Sequence, residues 1–251
     1  MKKLKYLQRF FILLFVGFAL CVVQACGDDE ENEPIQEPNE EEVVKPDDGK
    51  EEDEPSDKPV DTMEAVDLGL SVKWATCNVG ASKPEEYGDY FAWGETTTKS
   101  DYSWETYKWC TGTAISMTKY CTDTEYGSVD GLTTLSSSDD VATVKWGKNW
   151  RMPTEEEFNE LLYECTWTWT KQNGISGSIV TGPSGKSIFL PATGYCDGTA
   201  FHSRISNGYY WSATLGTEYG NSAYNLCFRS DDGYCYDYNR YCGRTVRPVT
   251  D

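Results

Sequence analysis

The side chains in this sequence best equipped for chemistry are its cysteines, ten of them, set beside a single histidine, His202. A thiolate is both nucleophile and metal ligand, so cysteine spacing is the first thing to read. No Cys-x-x-Cys pair occurs, which argues against a structural zinc site. One histidine offers one base, and no supporting motif surrounds it. The run Gly182-Pro183-Ser184-Gly185-Lys186 lacks the spacing of a phosphate-cradling loop. The chain is therefore expected not to be an enzyme, with no cofactor and no metal.

A second kind of thiol chemistry sits at the start of the chain. Lys2, Lys3, Lys5 and Arg9 precede an apolar run from Phe10 to Val23, too short for a comfortable membrane span. The following Val23-Gln24-Ala25-Cys26 resembles the lipobox of bacterial lipoproteins, which implies a signal peptide over 1–25 and lipidation of Cys26. Cys21 leaves with that peptide. Residues 27–61 carry 17 acidic residues and three lysines, so most of the formal charge of −19 belongs to them. With almost nothing apolar to bury, residues 26–61 read as a disordered tether. A flexible coil of that length would span about 30–35 Å, and charge repulsion extends it. Asp28-Asp29-Glu30-Glu31 resembles the surface-export signal of Bacteroidetes lipoproteins, implying an outer-membrane anchor facing outward; a periplasmic spacer is the plainer reading. Glu37-Pro38-Asn39 spells a lectin calcium and sugar motif, but a tether gives it no partner ligands.

Residues 62–251 are long enough for one domain with a proper core. Short aromatic and β-branched runs divided by glycine predict mostly strand. Thr154-Glu155-Glu156-Glu157 is a capping box after Pro153, with acids where the helix dipole favours them. Phe158, Leu161, Leu162 and Cys165 recur at helical spacing, so this helix is scaffold and its acids are a cap, not a catalytic pair. Ile175–Val180 and Ser187–Leu190 flank a Gly-Pro-Ser-Gly turn and predict a hairpin. Further strands are expected at 209–215, 223–229, 234–238 and 245–249. In the second of these, Tyr224, Leu226 and Phe228 alternate as a buried face, with Ala223, Asn225, Cys227 and Arg229 turned the other way.

Five motifs follow one another in order: Ala65-Val66-Asp67-Leu68-Gly69-Leu70, Trp150-Arg151-Met152-Pro153-Thr154, Leu190-Pro191-Ala192-Thr193-Gly194, Tyr210-Trp211-Ser212-Ala213-Thr214, and Gly243-Arg244-Thr245-Val246-Arg247-Pro248. Together they resemble the Fibrobacter succinogenes major paralogous domain across nearly all of 62–251. That resemblance implies an α+β, C-type-lectin-like fold related to the formylglycine-generating enzymes: a small twisted antiparallel sheet, long loops and one well-marked helix. It implies no function of its own. The related enzymes use a reactive cysteine pair, for which Cys235 and Cys242 are the counterparts, although the surrounding motif differs. Eight cysteines remain after Cys26. Cys110 with Cys121 brackets a short loop and is the first pairing to expect, although eight cysteines allow 105 pairings.

The strongest functional signal is composition. Between Tyr219 and Cys242 the chain is crowded with Tyr, Asn, Ser, Asp, Gly and Arg, and holds no Lys, Glu, Gln, Met or Trp. Tyrosine supplies stiff amphipathic contact area, while Ser, Asn and Gly adapt their hydrogen bonds, as in antibody paratopes. The missing residues are those that adenine-targeted mutation of Asn codons cannot reach, so the stretch resembles the variable region of retroelement-diversified proteins. An aromatic-rich β region using Tyr and Asn for packing and turns is the plainer reading, and the one preferred. The expected contact surface is Tyr219, Asn221, Asn225, Arg229, Asp231, Asp232, Tyr234, Tyr236, Tyr238, Asn239, Arg240 and Tyr241, for a glycan or protein ligand. A net acidic domain repels phosphate, which excludes nucleic acid. The other two readings are the cysteine-dependent enzyme and a structural envelope lipoprotein with no specific ligand.

Overall fold

The computed structural model describes residues 63–251. The signal segment, Cys26, the acidic run to Asp61 and residue 62 lie outside the described residues. The N-terminal pair of strands, β1 (Ala65–Val66) and β2 (Lys73–Ala75), is joined by the C-terminal strand β11 (Val249–Thr250), so both ends of the domain meet in one sheet, with Trp74 opposite Val66 and Val249. A second sheet is formed by β3 (Thr166–Gln172), β4 (Ile175–Thr181) and β5 (Ser187–Pro191). The third holds β8 (Gly208–Leu215), β9 (Ser222–Phe228) and β10 (Gly233–Asn239), with β9 in the centre. A small hairpin, β6 (Tyr195–Asp197) and β7 (Ala200–His202), completes the strands. With helices α1 (Val141–Trp146) and α2 (Glu155–Glu164), the domain is α+β, built from several small antiparallel sheets instead of the single sheet expected. No described helix is long and apolar enough to cross a membrane.

Helix α2 starts where its capping box places it. Thr154 Oγ1 accepts the Glu157 amide at 3.3 Å, and Glu157 Oε2 accepts the Thr154 amide at 2.8 Å. Arg151 then grips the same carboxylate with two bonds of 2.8 and 2.6 Å. Phe158 and Leu161 are buried, Leu162 is half-buried, and Cys165 caps the C-terminal end. Helix α1, which the sequence pattern did not reveal, begins at Asp140, whose carboxylate accepts the amides of Thr143 and Met152 at 3.0 and 2.8 Å.

Residues 76–140 hold no named strand and no helix, yet they are not loose. Their aromatic side chains enter the core and donate to distant carbonyls: Trp93 Nε1 to Ser212 O at 2.8 Å, Tyr107 to Trp93 O at 2.9 Å. Asp139 anchors the far end of this stretch, accepting from Lys119 Nζ at 2.6 Å and from the Tyr120 hydroxyl at 2.7 Å. Burial raises the Asp139 carboxyl, but those two donors outweigh it and hold it below its ordinary value. A depressed folded value means the contribution is complete above the unfolded aspartate value of about 3.9 and is lost as pH falls through the folded one. Urea midpoints taken from pH 5 down to pH 2 should therefore fall, and Asp139→Asn should flatten that acid limb. An unchanged slope in the variant would assign acid sensitivity elsewhere.

The strand predictions held best at the hairpins. The β4–β5 hairpin lies where Gly182-Pro183-Ser184-Gly185 placed it, and β8, β9 and β10 fall within about two residues of their expected limits. The expected strand at 245–249 is instead a run of bridges that ends in β11. The two-faced reading of β9 is corrected. Ala223, Asn225 and Cys227 are as buried as Leu226 and Phe228, because β9 is a central strand with material on both faces, and it is Tyr224 that is only half-buried. The expected Cys110–Cys121 pairing is also corrected: all eight described cysteines are free thiols. Cys110 Sγ donates to Trp104 O and Cys121 Sγ to Asp123 O, each at 3.1 Å.

Candidate functional site

Side chains alternate along a strand, so β10 divides its residues between two faces. Cys235 packs into the apolar cluster that includes Phe158 and Leu161 of α2. Tyr234, Tyr236 and Tyr238 must therefore line the other face, away from α2. Their rings touch in series, Tyr234 to Tyr236 at 5.3 Å between centroids and Tyr236 to Tyr238 at 6.0 Å. Tyr195 extends the ladder, 6.4 Å from Tyr238 and 5.1 Å from Tyr209. His202 stacks on Tyr195 at 5.2 Å. That last contact depends on Gly194, whose φ is 63° and where a Cβ would lie 2.2 Å from His202 O, so only glycine allows the β6–β7 hairpin to fold back this closely. All these rings are half-buried or exposed. From Tyr234 to Tyr238 the ladder runs about 13 Å.

Beneath the rings lies Arg244, fully buried. Its guanidinium carbon sits 4.7 Å from the Trp211 ring, 4.9 Å from Tyr209 and Tyr238, 5.6 Å from Tyr195 and 5.9 Å from Tyr236. It donates to Asn225 Oδ1, and Asn225 Nδ2 in turn donates to Tyr236 O at 2.7 Å. No carboxylate pairs with Arg244 among the described residues, so ring faces supply the counter-charge. Burial pushes the phenols of Tyr236, Tyr238 and Tyr195 up, only partly opposed by Arg244, and raises Tyr234 to about 12. The ladder therefore meets water as neutral hydroxyl-bearing rings fixed by one internal cation.

The structure sorts the twelve expected contact residues into four groups. Tyr234, Tyr236 and Tyr238 form the ladder. Arg229, Asp231 and Asp232 stand exposed at the β9–β10 turn, with Arg229 Nε 3.1 Å from Asp231 Oδ1. Tyr219, more than half exposed, and Asn221 lie at the other end of the hairpin with Asn239 and Tyr241. Tyr241 is half-buried, its ring 4.8 Å from Trp104. The fourth group is a correction: Asn225 and Arg240 are fully buried and cannot be contact residues. Asn225 braces Arg244. Arg240 donates to Tyr120 O at 2.9 Å, its guanidinium carbon 5.5 Å from the Trp93 ring and 5.7 Å from that of Tyr107. Sequence reasoning missed Tyr195, Tyr209, His202 and Arg244, which come from other segments; the aromatic run at 209–211 was their one visible sign.

Cys235 and Cys242 do not form a pair. Cys235 packs in the α2-side cluster and Cys242 in the separate cluster around Trp93 and Trp211. Burial raises each thiol to about 12, far from a thiolate at neutral pH. Among the described residues no group of three or more His, Cys, Asp or Glu is placed to hold a metal ion. The chain matches no known protein family, no characterised protein and no solved structure.

Proposed function

We propose that this chain is a surface-anchored lipoprotein, cut and lipidated at Cys26, whose domain binds a glycan or protein through its tyrosine ladder and performs no catalysis. The domain is read as C-type-lectin-like, of the Fibrobacter succinogenes major paralogous type, on its ordered motif series. The observation that carries the binding reading is the row of touching, half-exposed rings at Tyr234, Tyr236, Tyr238 and Tyr195. Aromatic side chains exposed together in this way offer large contact area at small entropic cost. Along β10 the ladder extends about 13 Å, which suits an oligosaccharide or a protein surface. The packing of Cys235 and Cys242 in separate clusters favours this reading over the cysteine-dependent redox one.

Two experiments test the reading. Incorporation of labelled palmitate, abolished by Cys26→Ala, is expected for the anchor; unlabelled wild-type protein would remove it. Probing glycan and protein arrays with the mature chain should yield a ligand, and Cys235→Ser with Cys242→Ser should bind it unchanged. Loss of binding in that double thiol variant, with the fold intact, would bring the cysteine chemistry back.

A further inference from the structure

On the α2 side of the β9–β10 hairpin, opposite the tyrosine ladder, lies a cleft of about 250 Å³. Its walls include Leu162, Trp167, Trp169 and Ser178, and its mouth is the turn carrying Arg229, Asp231 and Asp232. Trp167 and Trp169 alternate with threonine on β3, so both indoles project from one face. Trp167 is scaffold: its Nε1 donates to Leu161 O at 2.9 Å and its ring lies 5.1 Å from Phe228. Trp169 stands farther out, 6.4 Å from Phe228 and half-buried. At the mouth, Arg229 Nε approaches Asp231 Oδ1 at 3.1 Å and Nη2 approaches Asp232 Oδ2 at 4.0 Å, with all three side chains more than half exposed. Ion pairs this exposed contribute little to stability, so the fold does not account for them.

The chemistry of the cleft selects among ligands. A cation meets Arg229, and an anion meets two aspartates. A neutral ring bearing several hydroxyls needs donors and acceptors side by side and an apolar wall for its C–H face, which Arg229, the two aspartates and Trp169 provide. The volume is below the roughly 300–1,000 Å³ that holds drug-sized ligands, so one ring fits. We propose that this cleft is a second binding site, for a single neutral pyranose, with Trp169 stacking on the sugar and Arg229, Asp231 and Asp232 bonding its hydroxyls. It is independent of the ladder.

The test follows the indole N–H resonances of the 15N-labelled mature chain. The probes are methyl β-glucopyranoside, methyl β-galactopyranoside, methyl α-mannopyranoside and N-acetylglucosamine. One sugar should move a single indole resonance with a dissociation constant on the order of 1 mM, about −4 kcal/mol. Trp169→Phe, which deletes that resonance, identifies it. Asp232→Asn should weaken the response at least about tenfold while the other indoles, unshifted, report an intact fold. Tyr236→Phe with Tyr238→Phe, which keep their rings around Arg244, should leave it unchanged whatever they do to a ladder ligand. No response to any of the four sugars overturns the proposal. So does a moving resonance that survives Trp169→Phe, or a stronger response to tetramethylammonium than to any sugar.

Discussion

Arg247→Ala should destabilise the domain by about 3–5 kcal/mol, a large share of the roughly 5–15 kcal/mol that holds a typical domain folded. Arg247 is fully buried and uses its whole fork: Nε donates to Asn78 Oδ1 at 2.8 Å, Nη1 to Ala75 O at 3.1 Å and Thr76 O at 3.0 Å, and Nη2 to Phe189 O at 3.0 Å. Those acceptors belong to the end of β2, to the chain just after it and to β5, so one side chain ties two sheets to the C-terminal segment. Burial pulls the guanidinium down from its ordinary value, because the site desolvates its charge. Truncation leaves several carbonyls and an amide oxygen buried without donors, and opens a cavity as well. Arg247→Lys should recover little, because a single ammonium cannot reproduce the planar fork. Urea unfolding of the three proteins measures this, provided the slope is constant. A cost below about 1 kcal/mol for the alanine variant would show that these bonds contribute little net stability.

The second large effect concerns binding. Truncating Tyr236 and Tyr238 together should weaken the ladder's ligand by at least about 100-fold, since an aromatic residue central to an interface commonly costs 2 kcal/mol or more. The same change strips two ring faces from Arg244, so some lost stability is expected too. Tyr236→Phe with Tyr238→Phe separates the two effects. Those rings still cage the guanidinium, so the fold should hold while any hydrogen bonds from the hydroxyls disappear. Val144→Ala, at an exposed position on α1, serves as a distant surface control. Equal affinity in the alanine double variant and the control would remove the ladder from the interface.

What the sequence revealed and what it hid follow the range of the interactions involved. The α2 start was legible because a capping box lies within four residues, and the β4–β5 hairpin because its turn residues announce it. Helix α1 was hidden because its six residues carry no acid in the first turn and its cap, Asp140, is shared with the distant amide of Met152. Strand β3 was legible and missed: Thr166-Trp167-Thr168-Trp169-Thr170 alternates plainly. Asn225 and Arg240 read as surface residues because polar side chains usually are. Their partners, Arg244 and Tyr120, come from elsewhere in the chain and cannot be read from local pattern. The ladder itself was half visible. Its β10 members alternate in sequence, while Tyr195, His202 and Arg244 join only through the fold.

Hydroxyl-radical footprinting of the mature chain, with and without its array-selected ligand, asks the central question at single-residue level. Protection concentrated on Tyr234, Tyr236, Tyr238 and Tyr195 is the expected result. Ligand-bound protein in which those four rings stay as reactive as in the free chain would contradict it.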